Sequence, residues 1–270
     1  MVKRLLKLIN SVAVLDIDVS AVEELQNTYS ETVLPIVADA QDLASIQKGI
    51  EKAIERFESI DIAIHNVGLC TFESEENTDY NTYEKVMDIN FFGALRLAKT
   101  VLPYMRKARK ERIMFTSSGV GVTGFANISP YAASEGAVES LAKCLKIENS
   151  EYGITFRWFP PPLMDTASAK GLPVQKEFKA DAQKVGNGLA EHIWLKKFVI
   201  CHSFVQSVQM KFSYRHPLYI GKLMTEMTKR AEKISSFSLT LMRLKLRKRL
   251  PLKSVAFSAL SGTPYESRFV

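Results

Sequence analysis

A doubly wound, Rossmann-like α/β fold, a parallel sheet with helices on both faces, is predicted from three observations. Short β-branched runs alternate with longer helical patterns over the first 200 residues. Within the helical stretches, apolar residues recur at three- and four-residue steps. A chain of 270 residues, 46% of them apolar and 24% charged, also has enough material for a full-sized core. Val12 to Leu15 reads as a strand. Ser20, with Glu23 three residues on, reads as a capping box opening a helix through Ala21, Val22 and Leu25. Val33 to Val37 is the next strand. Asp42 caps a helix that buries Leu43, Ile46, Ile50, Ile54 and Phe57 as one stripe. Asp61 to His65 is a strand, and Tyr83 to Lys107 a long helix that Pro103 should bend or restart. Arg112 to Thr116 is a strand, Pro130 to about Ser150 a helix, and Thr155 to Phe159 a further strand. This unit is expected to fill residues 1–204, with a basic helical extension over 205–270.

Charge is divided along the chain. Residues 1–180 carry 20 basic and 24 acidic side chains, whereas 181–270 carry 16 and 5, so the net +7 comes from the C-terminal third. In that third, Leu218, Ile220, Leu223, Met224, Met227 and Ala231 have helical spacing within His216 to Ser235. Leu241 to Lys253 is alternately basic and apolar. Two readings of it stand: an anchor on anionic membrane, or an amphipathic arm packed on the core with its charges in water. Nucleic acid fits it poorly, because stacking aromatics are sparse. Apolar runs such as Phe198 to Cys201 fall far short of the roughly 18 to 20 residues that cross a bilayer. Asn10 and Asp16 interrupt the apolar start, which argues against a signal peptide. Three widely spaced cysteines, Cys70, Cys144 and Cys201, suit neither a disulfide framework nor a metal site. The expected location is cytoplasmic, with membrane association if the tail anchors.

Three local patterns carry a family likeness. HNVG spans His65 to Gly68 after a strand, and MDINFFGAL spans Met87 to Leu95 with Asn90 inside it. IMFTSSGVG followed by SPYAASEGAVESLAK places Ser118 and Tyr131 thirteen residues apart, one just beyond a strand and the other at a helix start. In this order the patterns resemble the classical short-chain dehydrogenase/reductase family over about Val12 to Cys201. The resemblance implies hydride transfer between NAD or NADP and a secondary alcohol or ketone. It implies Tyr131 as acid/base, Ser118 as the polarising hydroxyl and Asn90 as their support. Asn66 and Gly68 would lie in the turn against the cofactor. Asp16 would accept from the adenosine ribose and favour NAD, Asp39 would contact adenine, and Thr166 of FPPPLMDT would meet the nicotinamide. No metal is implied. Helices like Tyr83 to Lys107 and Pro130 to Ser150 form dimer faces in the family. The apolar stretch Leu163 to Val185 would suit a lipophilic substrate.

The sequence departs from that pattern twice. The family's lysine four residues after the tyrosine lowers the phenol's pKa and holds the ribose; here the position is Glu135, which reverses the charge. Lys143 and Lys146 lie too far along the helix to replace it. No glycine precedes Gly49, so the glycine turn that would cradle a pyrophosphate is missing before Val12, and KRLLKLIN reads as the end of a helix. Pro161 also stands where the family has glycine. An impaired enzyme, an inactive family member that binds a partner or acts as a scaffold, and a truncated product all remain open. So do plainer roles: loop hydroxyl for Ser118, helix-start aromatic for Tyr131, strand-end or turn carboxylates for Asp16 and Asp39, and a turn residue for His65.

Overall fold

The strands arise where β-branched and aromatic residues cluster, and the helices where acidic caps precede an apolar stripe. The computed structural model describes residues 1–247 apart from 9, 10, 110, 167, 168, 170 and 171, and describes no side chains over 234–247. Five strands run parallel: β1 (Val12–Asp16), β2 (Val33–Val37), β3 (Ile62–His65), β4 (Arg112–Thr116) and β5 (Thr155–Phe159). They match the expected strands to within a residue. The helices are α1 (Val2–Leu8), α2 (Ser20–Gln26), α3 (Leu43–Phe57), α4 (Tyr80–Met87), α5 (Gly93–Ala108), α6 (Val120–Thr123), α7 (Ser129–Glu148), α8 (Ala182–Glu191), α9 (Phe204–Arg215) and α10 (Pro217–Arg247).

Hydrogen bonding divides the strands into two sheets, β1–β2 and β3–β4–β5. A Rossmann sheet has the order 3-2-1-4-5-6. The order β2, β1, then β3, β4, β5 reproduces it with one central position unfilled, and the facing edges of β1 and β3 line a common cavity. Strand β4 shows how the core is layered. Ile113 and Phe115 pack with Ala98, Val101 and Met105 of α5 and Val138 and Ala142 of α7, while Met114, on the other face, packs with Leu5, Val185 and Leu189.

Two local expectations are corrected. Ser20 does not cap α2: it is the first helical residue, and its amide instead donates to Asp18 Oδ1 at 3.1 Å. An acidic side chain two residues earlier competes for the same donor. The long helix begins at Tyr80, capped by Asp79, whose Oδ1 accepts from Thr82 N at 2.7 Å. A five-residue π turn, Asp88–Phe92, then divides it, while Pro103 sits within α5 without breaking it. The interruption comes where the extra backbone of the π turn can present a polar residue inward. The cap at Asp42 is as expected, Oδ1 accepting from Ala44 N at 2.9 Å.

The boundary placed after residue 204 falls at the start of α9. Met210 of α9 is buried with Trp158 and Cys201, and Thr225 of α10 accepts from Ala126 N at 3.0 Å, so both helices pack on the strand-and-helix unit. Of the basic stretch Leu241 to Lys253, residues 248–253 and the side chains of 241–247 lie outside the described residues.

Candidate active site

The loop that follows β4 is held tightly against the first turns of α7. Ser117 N donates to Phe159 O at 2.7 Å, and its hydroxyl donates to the Glu135 carbonyl at 3.2 Å. The close approach needs two glycines. A Cβ on Gly121 would come within 2.6 Å of Gly136 N and 2.7 Å of the Glu135 carbonyl carbon, so only a bare residue lets α6 lie on α7 here. Pro130, in the first turn of α7, sets the helix start without removing a needed donor.

This packing places Ser118 and Tyr131 in the lining of one cavity, near enough for the serine to act on the phenol's ionisation. Their thirteen-residue spacing therefore corresponds to nearness in space. The Tyr131 phenol is pushed well above its usual range, first by burial and then by the negative charge of Glu135 and Cys70, with Ser118 opposing. A phenol in this setting keeps its proton at neutral pH.

Glu135 lies one helical turn beyond Tyr131 and is only 4% exposed. Burial raises its carboxyl to about 8. One oxygen, Oε1, is 3.5 Å from Asn90 Nδ2; the other, Oε2, is buried without a hydrogen-bond partner. Nothing basic on the same helix offsets it. Lys143 pairs with Glu139 at 2.6 Å, and Lys146 Nζ lies over the Phe198 ring at 5.2 Å.

Asn90, in the π turn, acts as a clamp. Its Oδ1 accepts from Leu69 N at 2.7 Å, and its Nδ2 donates to Leu69 O at 3.0 Å and to Ser134 Oγ at 2.8 Å. The loop after β3 is thus fastened to α7, with both ends of one amide used. Ser134, whose hydroxyl also donates to the Tyr131 carbonyl at 2.8 Å, was not foreseen from sequence. Its only signal is its place three residues after Tyr131 on a helix facing the loop.

A cavity of about 2710 Å³ collects most of the expected site residues: Asp16, Asp39, Asn66, Gly68, Ser118, Tyr131, Glu135 and Thr166 all line it, while Asn90 stands behind the wall. Cys70, on the same wall, has its thiol pushed up to about 12, mainly by burial. His65, at the end of β3, is 4% exposed with neither ring nitrogen partnered, and burial holds its pKa down at about 4. It is a neutral wall residue. Asp39 is used locally, Oδ1 accepting from Gln41 N at 2.9 Å, and Asp16 Oδ1 accepts from Asp18 N at 3.2 Å.

A dinucleotide fits these residues in part. Asp16 stands at the C-terminal end of β1, where a ribose would be met, and Ser118 and Tyr131 stand beyond β4. The ribose near the reacting ring does not find its partner: Glu135 offers a carboxyl where a cation would be required.

Comparison with known proteins gives a consistent assignment. The chain is similar to 3-ketodihydrosphingosine reductase of Bos taurus, 28% identical over 137 residues, which cover 50% of this chain and 41% of that protein. It spans less than half the length of this relative and of a second curated one from Bacillus subtilis. In fold it is similar to a short-chain dehydrogenase from Streptomyces avermitilis, with a TM-score of 0.69 at 18% identity, covering 87% of this chain and 93% of that one. It also resembles a 3-ketoacyl-(acyl-carrier-protein) reductase from Brucella melitensis solved with NADH, with a TM-score of 0.57 at 22% identity, covering 59% and 68%. Residues 1–177 match the family model for short chain dehydrogenases, and the chain belongs to the classical short-chain dehydrogenase/reductase family.

Proposed function

We propose that this chain carries an impaired oxidoreductase site for a secondary alcohol or ketone on a lipophilic molecule. The observation that supports it most directly is that Ser118 and Tyr131 lie near each other in the lining of a largely apolar cavity. Ser118 would hold the substrate oxygen, and Tyr131 would give or take its proton. Impairment follows from one feature: the phenol has a carboxyl neighbour in place of a cation. NAD, favoured over NADP by the acidic Asp16, would accept the hydride of an alcohol or, in its reduced form, deliver one to a ketone when bound; the fit of either is poor. The lipophilic substrate rests on the cavity lining, with Leu163, Met164 and Phe178 among it, and on the likeness to a reductase of a long-chain lipid ketone. Asn90 is a positioning residue in this reading. A binding or scaffold protein is the second reading, favoured by the buried Glu135 oxygen that lacks a partner.

Calorimetry with NAD and NADP tests the cofactor part: weak or undetectable binding is expected, and a tight stoichiometric complex would overturn it. Hydride transfer over a panel of ketones and secondary alcohols tests the rest. Wild type should be inactive or very slow, and Glu135→Lys faster once a glycine turn from an active relative is placed before Val12. Equal rates with and without the lysine would show that Glu135 is not the lesion. Contact of Leu241 to Lys253 with membrane, and a homodimer, are separate expectations. Salt-sensitive sedimentation with anionic but not neutral liposomes tests the first; sedimentation equilibrium tests the second.

A further inference from the structure

We propose that the Glu135 carboxylate, on the cavity wall beside Tyr131, is a binding site for a primary ammonium group carried on an apolar chain. The proposal rests on the reading of this cavity as the substrate site.

The side chain is 96% removed from solvent, yet only one of its oxygens has a protein donor near it, and that donor is at the limit of hydrogen-bond reach. Buried carboxylates are costly unless donors surround them. The groups on the elements packed around Glu135 do not supply them. On its own helix, Tyr131 is a neutral phenol near Ser118, and Glu139 is turned to Lys143 and Tyr214. From the loop after β3 come the Cys70 thiol and the neutral His65; from the π turn comes Asn90, already holding Leu69 and Ser134. From the loop after β4 come Ser117 and Ser118, and Lys85 of α4 lines the same cavity. Burial, and no cation, raises the pKa of Glu135.

An ammonium has three donors and a positive charge, which is what the two oxygens of Glu135 lack. Methionine and leucine side chains along the cavity, including Leu163, Met164 and Met224, would take the apolar chain. Seated between Glu135 and Tyr131, the ligand's cation would also offset the negative charge that now raises the phenol pKa. A substrate with its amine close to its reacting oxygen would then bring the charge that residue 135 does not provide.

The linkage gives a signature. The carboxyl has a pKa of about 8 and is mostly protonated at pH 7, whereas a primary alkylamine is already charged there. Pairing must expel the carboxyl proton. Affinity should therefore rise as pH increases from 6 to 8 and level off above 8.

The test uses the full chain, with decylamine as probe and 1-decanol as its uncharged counterpart, in calorimetry at pH 7 in two buffers of different ionisation enthalpy. Decylamine should bind at least tenfold more tightly than decanol at pH 8 and release close to one proton per ligand at pH 7. Glu135→Gln should abolish both the preference and the release, and Glu139→Gln should keep them. Equal affinities, no proton release by wild type, or a preference that survives in Glu135→Gln would each overturn the proposal. The wild-type proton count stands even if a variant misfolds. Amine binding by wild type together with no hydride transfer by the Glu135→Lys variant that carries the added glycine turn would remove the reaction reading and leave the ammonium site; transfer by that variant with no amine preference in wild type would do the reverse.

Discussion

The two sheets of this molecule are built to different standards. In β3–β4–β5 the central strand has Ile113, Met114 and Phe115 fully buried, and its neighbour buries Phe156 and Trp158. In β1–β2, every residue of β1 is half-buried and Val37 at the end of β2 is 70% exposed. Composition is part of the cause, since β1 and β2 hold no aromatic residue while β4 and β5 hold Phe115, Phe156, Trp158 and Phe159, and pairing is the other part. Strand β4 has hydrogen-bonded neighbours on both edges and helices on both faces; β1 has one neighbour and a cavity beyond its other edge. The candidate site inherits this difference. Ser118, Tyr131, Glu135 and Asn90 stand on the well-packed side, where Asn90 ties the loop after β3 to α7. Asp16 and Asp39, the residues expected to meet an adenosine, stand on the loosely packed side and bond to their own turns.

The comparison can be broken most directly in the core. Phe156→Ala should cost about 3–5 kcal/mol, because a large ring is removed from a site with little room to collapse; urea unfolding measures it. A loss no greater than that for a β1 substitution would mean that the two sheets are equally packed.

A second test concerns the polar part of the well-packed side. The Glu135 carboxyl is raised from its ordinary 4.5 to about 8, so folding favours its protonated form. The stabilisation is complete below pH 4.5 and is lost as pH rises from there to about 8, at up to about 1.4 kcal/mol per pH unit. Unfolding curves of wild type and Glu135→Gln across that range should diverge, with the variant gaining on wild type as pH rises. Parallel curves would mean that the carboxyl is solvated.

A smaller effect is expected at the clamp. Asn90→Ala removes the amide that joins Leu69 to Ser134 and should cost about 1–3 kcal/mol by leaving backbone groups unpaired. Hydrogen exchange should show the loss at the Leu69 amide. Smallest of all, Val14→Ala in β1 should cost about 1 kcal/mol or less, since the side chain is already half in solvent. Only a loss as large as that for Phe156 would contradict the account.

How much was legible follows from the range of the forces. Strand positions and the acidic cap at Asp42 are local matters of side-chain shape and one or two hydrogen bonds, and the strands were read to within a residue. Ser20 was misread because two local acceptors compete, and Asp18 prevails. The interruption at Asp88–Phe92 was not placed, since Gly93 at its end is compatible with an unbroken helix; Asn90 has to turn inward to meet Leu69 and Ser134, and both partners are distant in sequence. The nearness of Ser118 to Tyr131 was legible through spacing, but the approach that creates it depends on Gly121 lying against Gly136.

By itself, then, the sequence determined the α/β class, the strand and helix segments, the family, and the reversal of charge at residue 135, all of which depend on residue identity and short-range order. Tertiary structure alone decided that the parallel strands form two sheets with a cavity between them, that Glu135 is buried with one oxygen unpartnered, and that most of the expected site residues line that cavity. These outcomes depend on which distant segments exclude water from one another. Solvation is a property of the packed neighbourhood, and a carboxylate four residues after a tyrosine has the same letters whether it faces water or a closed wall.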